Sequence, residues 1–163
     1  MLIFSDISII KSHLSKLKKE GNIIGFIPTM GALHNGHLSL IKKSISENNF
    51  TVVSIFVNPT QFDNSEDLET YPSNIKNDII LLKSISDDII LFNPDSQEVY
   101  SEGVQSQQFN FNGLDKYMEG KYRVNHFQGV ATVVNKLLLI VEPDNVYFGE
   151  KDFQQLRIIE NLV

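Results

Sequence analysis

A chain of 163 residues with 42% hydrophobic content is long enough to bury one good core, which predicts a single domain over residues 1–163. Its net charge of -6, with no dense run of Lys or Arg, argues against a nucleic-acid surface and favours a small-molecule partner. The absence of cysteine excludes a disulfide framework and thiol catalysis, and no apolar stretch is long enough to cross a membrane.

Taken in order, short apolar runs alternate with helical patterns. A strand is predicted at Leu2 to Phe4. A helix follows Asp6 and stops at Gly21, with Ile10, Leu14 and Leu17 facing inward. Its lysines, Lys11, Lys16, Lys18 and Lys19, exclude a signal peptide and make the cytoplasm the expected compartment. A buried strand at Ile23 to Ile27 precedes a helix from His37 to Glu47, in which Leu38, Ile41 and Ile45 recur at helical spacing. Val52 to Val57 reads as a strand, and Asn58 to Pro72 as a long irregular loop of the kind used for binding. Then come a helix at Ile75 to Ser84, a strand at Ile89 to Phe92 and a weaker edge strand at Gln107 to Phe111. A second irregular stretch, Gly113 to Asn125, carries Lys116, Lys121 and Arg123 around Gly120. A helix at Phe127 to Val141, a strand at Val146 to Phe148 and a helix from Phe153 complete the chain, which stops at Val163 within a helical pattern, as a cut at a domain boundary would leave it. This alternation predicts an α/β fold: a Rossmann-like, doubly wound parallel sheet with helices on both faces. Ligands in such sheets collect outside the carboxyl ends of the strands, near the switch point.

The segment Pro28-Thr29-Met30-Gly31-Ala32-Leu33-His34-Asn35-Gly36-His37 occupies one such strand-to-helix junction. The free N–H groups and positive dipole end of the helix favour phosphate there, and Gly31 and Gly36 let backbone approach a ligand closely. Two imidazoles three residues apart add hydrogen bonds to a phosphoryl group in transfer. A metal pair is the competing reading, but zinc needs a third or fourth ligand, and neither His13 nor His126 has ligand spacing. A neutral surface pair is the third.

Four segments then resemble the pantoate–β-alanine ligase family of the H-x-G-H nucleotidyltransferase superfamily. They are Pro28 to His37, Ser54 to Phe62 with its N-P-x-Q-F, Glu69-Thr70-Tyr71-Pro72, and Phe148-Gly149-Glu150-Lys151-Asp152-Phe153-Gln154-Gln155. The resemblance covers the first of the family's two domains. It implies that ATP and pantoate form a pantoyl adenylate from which β-alanine displaces AMP, with Mg2+ accompanying the ATP. His34 and His37 would be the catalytic pair on the phosphates, His37 nearer the transferring group. Met30, Gly31, Ala32, Leu33, His34, Asn35, Gly36, His37, Gly149, Glu150, Lys151 and Asp152 would bind ATP. Gln61 and Gln155 would hold pantoate, with Asn58 and Tyr71 lining the same substrate pocket.

Asp78 matches an acidic position proposed to touch the metal in the family; an ordinary exposed carboxylate on an amphipathic helix is the competing reading. Arg123 and His126, in a segment that resembles E-G-x-x-R-P-x-H-F with Val124 in place of proline, would sit at the pocket rim. The family's second signature, S-S-R-N in place of K-M-S-K-S, and its C-terminal lid have no counterpart before Val163, which predicts weak or no activity for this polypeptide. Relatives dimerise through this half, so a homodimer is expected. A cytidylyl- or adenylyltransferase on the same fold, and a catalytically silent binding or dimerisation module, are the alternatives.

Overall fold

The computed structural model describes every residue except Asp63, Val124 and Val163, and only the backbone of Ser65. The expectations attached to Val124 and to the ending at Val163 lie outside the described residues. In chain order the elements are β1 (Leu2–Phe4), α1 (Ile7–Lys19), β2 (Ile24–Thr29), α2 (Asn35–Glu47), β3 (Phe50–Ile55), a 3₁₀ turn (Pro59–Gln61), α3 (Ser65–Thr70), α4 (Ile75–Lys83), β4 (Ile90–Phe92) and α5 (Ser96–Val99). Two further 3₁₀ turns (Leu114–Lys116 and Met118–Lys121), α6 (His126–Val141), β5 (Asn145–Val146) and α7 (Phe153–Leu162) follow.

All strand pairings are parallel, in the order β1-β4-β3-β2-β5. From β2 the chain builds outward through β3 to β4, then crosses back to place β5 on the other side of β2. The switch point therefore lies between β2 and β5, and the segments leaving these two strands face one crevice.

Alternation along the strands feeds two cores. Ile24, Phe26, Val52, Ile90 and Phe92 pack with Ile10 and Leu14 of α1, Val130, Val134 and Leu137 of α6 and Ile159 of α7. Ile27, Val53, Ile55, Ile89 and Leu91 pack on the opposite face with Ile41 of α2 and Leu82 of α4. Burial on both faces is what makes these strands read as near-continuous apolar runs.

Helix α1 meets the expectation closely. Asp6 caps it by accepting the Ile9 N–H at 2.9 Å, and Gly21, just beyond it, has φ +82°. Helix α2 begins two residues earlier than predicted, because His34 itself is the N-cap. Ile45 is exposed, and Ser44 is buried in its stead, 2.8 Å from the Thr51 hydroxyl. Gly25 permits this: a Cβ there would stand 2.2 Å from Ser44 Oγ, so only glycine lets α2 lie this close to β2.

Four segments differ from expectation. Gln107 to Phe111 is not a strand: the Gln107 N–H donates to Thr132 Oγ1 at 2.9 Å, and Gln128 pairs with both the N–H and the carbonyl of Phe109 at 2.8 and 3.0 Å. Side chains of α6 thus occupy the backbone groups that a sheet neighbour would have taken. The stretch after Asn58 is not irregular throughout, since it holds a 3₁₀ turn capped by Asn58 and the short helix α3 capped by Asn64. Strand β3 ends at Ile55, not Val57, and β5 is only two residues long.

Candidate functional site

A cavity of about 270 Å³ opens at the switch point. Pro28, Thr29, Met30, Gly31, His34 and His37 form one side, Gln61 and Tyr71 another, and Phe148, Asp152 and Gln155 a third. Its apolar wall is Phe56 with Val130, Val133, Val134 and Leu137 of α6. These α6 residues have the ordinary spacing of a core stripe, so no local signal marks them as pocket residues.

The loop from β2 to α2 is tightly held. Thr29 Oγ1 donates to the Ser54 carbonyl at 2.7 Å and accepts the Gly31 N–H at 3.1 Å. Gly31 has φ +86°, and a Cβ on it would meet Asp78 Oδ2 at 2.9 Å. Asp78 is 1% exposed, against the expectation of a solvated carboxylate. Its Oδ2 accepts the Ala32 N–H at 3.1 Å and its Oδ1 accepts the Leu33 N–H at 2.8 Å, so the first turn of α4 clamps the loop. Each oxygen thus accepts one backbone N–H, which holds the carboxylate in place beneath the loop.

The two histidines form a reciprocal cap on α2. His34 Nδ1 accepts the Gly36 N–H at 3.1 Å, and His37 Nδ1 accepts the His34 N–H at 3.3 Å. Since both Nδ1 atoms accept, both rings carry their proton on Nε2 when neutral, and each Nε2–H remains a donor. The ring centroids are 4.1 Å apart. Burial, reinforced by the neighbouring His34, lowers the His37 pKa from its ordinary value of 6.5, while Asp78 and Asp152 pull weakly the other way. His37 is thus a neutral donor at pH 7.

Gln61 is 7% exposed, and its Nε2 lies 2.8 Å from Met30 Sδ. Asn58 does not line the cavity; it is fully buried beneath Gln61, to which it donates at 3.1 Å. Tyr71 reaches the cavity and packs edge-on against Phe62, with its hydroxyl pKa raised chiefly by burial. His126 is no rim residue but a buried support. Its Nε2 faces Arg123 Nη1 at 3.2 Å, which only donates, so its Nδ1 carries the proton and donates to the Gln61 carbonyl at 2.8 Å.

Of the nucleotide-binding candidates, Met30, Gly31, His34, His37 and Asp152 border the cavity. Leu33 belongs to the core beneath α2, Ala32 is half-buried, and Asn35 and Gly36 are exposed in the first turn. Gly149 and Glu150 lie outside it, and the Lys151 side chain is 91% exposed, 3.5 Å from Asp152. Gln155 borders the cavity, whereas Gln154 is buried and ties the preceding turns to α7 through the carbonyls of Leu114 and Tyr117. A larger groove between α1 and α6 is a helix-capping feature: Lys11 donates to the Leu139 carbonyl, and Lys18 to that of Glu142.

The cavity therefore offers neutral N–H donors beside a helix N-terminus, an apolar wall and one carboxylate, a donor set suited to anionic oxygens.

Residues 2–163 match the family model described as pantoate-beta-alanine ligase. The chain is 49% identical over its whole length to the pantothenate synthetase of Christiangramia forsetii and covers 58% of that protein. It superimposes with a TM-score of 0.93 on the pantoate-beta-alanine ligase of Francisella tularensis complexed with beta-gamma ATP and beta-alanine, at 48% identity and 62% coverage of that chain. With the pantothenate synthetase of Thermus thermophilus the TM-score is 0.90, at 42% identity and 57% coverage. The chain thus spans about three fifths of the length of these relatives.

Proposed function

The chain belongs to the pantoate–β-alanine ligase family, and we propose that it forms the nucleotide- and pantoate-binding half of an ATP-dependent, AMP-forming ligase. In the first step a pantoate carboxylate oxygen attacks the α-phosphorus of ATP, and the bond to the departing pyrophosphate breaks. In the second, the amine of β-alanine attacks the acyl carbon of pantoyl adenylate, loses a proton, and AMP leaves with the acyl–oxygen electron pair. Pantothenate, AMP and pyrophosphate result.

The observation that carries this reading is the pairing of the two Nε2–H donors of His34 and His37 with Gln61 and Gln155 around one cavity. Donors already in place stabilise charge that builds on a phosphoryl group without first having to reorganise. His37 serves the transferring group and His34 the neighbouring phosphate. Gln61 and Gln155 orient pantoate, with Tyr71 beside them. Asp152 suits the ribose hydroxyls, and Lys151 is free to swing toward phosphate. Chemistry of this type rests on alignment and charge stabilisation and needs no covalent enzyme intermediate. Mg2+ would arrive on the triphosphate. A homodimer in the cytoplasm belongs to the same proposal.

The test mixes stoichiometric chain with Mg-ATP and pantoate, without β-alanine, and looks for pantoyl adenylate by mass spectrometry. A small yield that disappears in His37→Ala is expected. Binding of neither pantoate nor ATP, measured by calorimetry on the folded chain, would overturn the reading.

A further inference from the structure

Beneath the cavity lies a buried polar chain whose polarity can be read from its ends. Asn58 is surrounded by two backbone groups that allow only one orientation of its amide. The Gly129 carbonyl, 3.1 Å away, only accepts and so takes Nδ2; the Thr60 N–H, 3.4 Å away, only donates and so takes Oδ1. The remaining Nδ2 proton faces Gln61 at 3.1 Å, which makes the Gln61 atom there the acceptor Oε1. The Gln61 NH2 is left at the cavity side, beside the weakly accepting Met30 sulfur.

The far end of the chain is Tyr100, absent from every motif considered above. It is 4% exposed, and its hydroxyl donates to Asn58 Oδ1 at 2.5 Å, with Thr60 Oγ1 3.0 Å away. Burial holds the Tyr100 hydroxyl above its ordinary pKa, so it remains a donor throughout the physiological range. Gly129 is also required as glycine, since a Cβ there would stand 2.2 Å from the Thr60 carbonyl.

We propose that Tyr100 is a positioning residue: its hydroxyl holds Asn58, whose amide the backbone already orients, firmly against Gln61, so that the Gln61 N–H donors stay directed toward the cavity. The subsite then reads a ligand oxygen with free lone pairs, a carboxylate or a hydroxyl used as acceptor, and rejects a ligand that presents an N–H donor at the same place. The identity of the ligand as pantoate rests on the function proposed above; the polarity does not.

Tyr100→Phe removes only the hydroxyl. Pantoate is expected to bind about five- to tenfold more weakly to this variant, while ATP affinity changes less than about twofold and the melting temperature moves by a few degrees at most. In the ligand-free chain, hydrogen exchange of the side-chain amides, followed by 15N NMR, should be at least about tenfold slower for Asn58 than for Gln61, because the Asn58 protons are held by two carbonyl oxygens. Tyr100→Phe should reduce that difference. Unchanged pantoate affinity, an equal loss of ATP affinity, or Gln61 protons more protected than those of Asn58 would overturn the proposal. If the unaltered chain bound no pantoate, the ligase reading would fail, while the exchange measurement would still decide the polarity.

Discussion

His37 is the residue at which local sequence and tertiary surroundings meet. Its position three after His34 allows the reciprocal cap, but its lowered pKa comes from burial against the cavity wall and from the nearby His34 ring. Above pH 6.5 the ring is neutral in both folded and unfolded chains, and its contribution to stability is complete. As the pH falls below that value the unfolded chain takes up the proton first, so stability declines through the lowered folded pKa. A protonated Nδ1 could no longer accept the His34 N–H, which removes half of the cap. NMR titration of the His37 ring should give a midpoint below 6.5, and urea unfolding at successive pH values should show the loss beginning there; a midpoint above 6.5 would contradict the geometry.

At the scale of elements, the reach of α4 toward the loop between β2 and α2 decides what Asp78 does. Helical spacing alone leaves Asp78 as an exposed carboxylate or a metal ligand, since nothing nearby in sequence announces the amides of Ala32 and Leu33, 46 and 45 residues away. Asp78→Asn keeps one acceptor and turns a donor on the other amide. A loss of about 1–3 kcal/mol in unfolding free energy is expected, from one buried N–H left without a partner. The magnesium dependence of ATP binding should be unchanged in the same variant, and a shift in that dependence would identify Asp78 as a metal ligand. The segment from Gln107 to Phe111 makes a related point. Its residues suit a strand, but Gln128 and Thr132 of α6 reach its backbone before any sheet neighbour does. By contrast, the ends of α1 were legible because Asp6 and Gly21 act within a few residues of themselves.

For the whole molecule, a parallel sheet covered on both faces makes stability depend on side chains buried at the centre of the sheet. Leu91 lies at the centre of β4, paired with Ile3 on one side and Val53 on the other, and is fully buried. Leu91→Ala should cost about 2–5 kcal/mol, a large share of the roughly 5–15 kcal/mol that such domains possess, read as a lower urea midpoint with a similar slope. Among the described residues no helix is long and apolar enough to cross a membrane.

The amino-acid sequence by itself determined the α/β alternation, most helix ends and the site's location at a strand-to-helix junction, because periodicity, caps and glycine act over a few residues. Only the tertiary structure decided that Asp78 clamps a loop, that His126 and Asn58 lie under Gln61 and do not line the cavity, and that Tyr100 takes part at all. Those assignments depend on donors and acceptors brought together by crossovers between strands, such as Tyr100 and Asn58, 42 residues apart, and Asn58 and Gly129, 71 apart. Hydrogen-bond polarity propagates through such contacts, and it is set by which backbone groups the fold places at their ends.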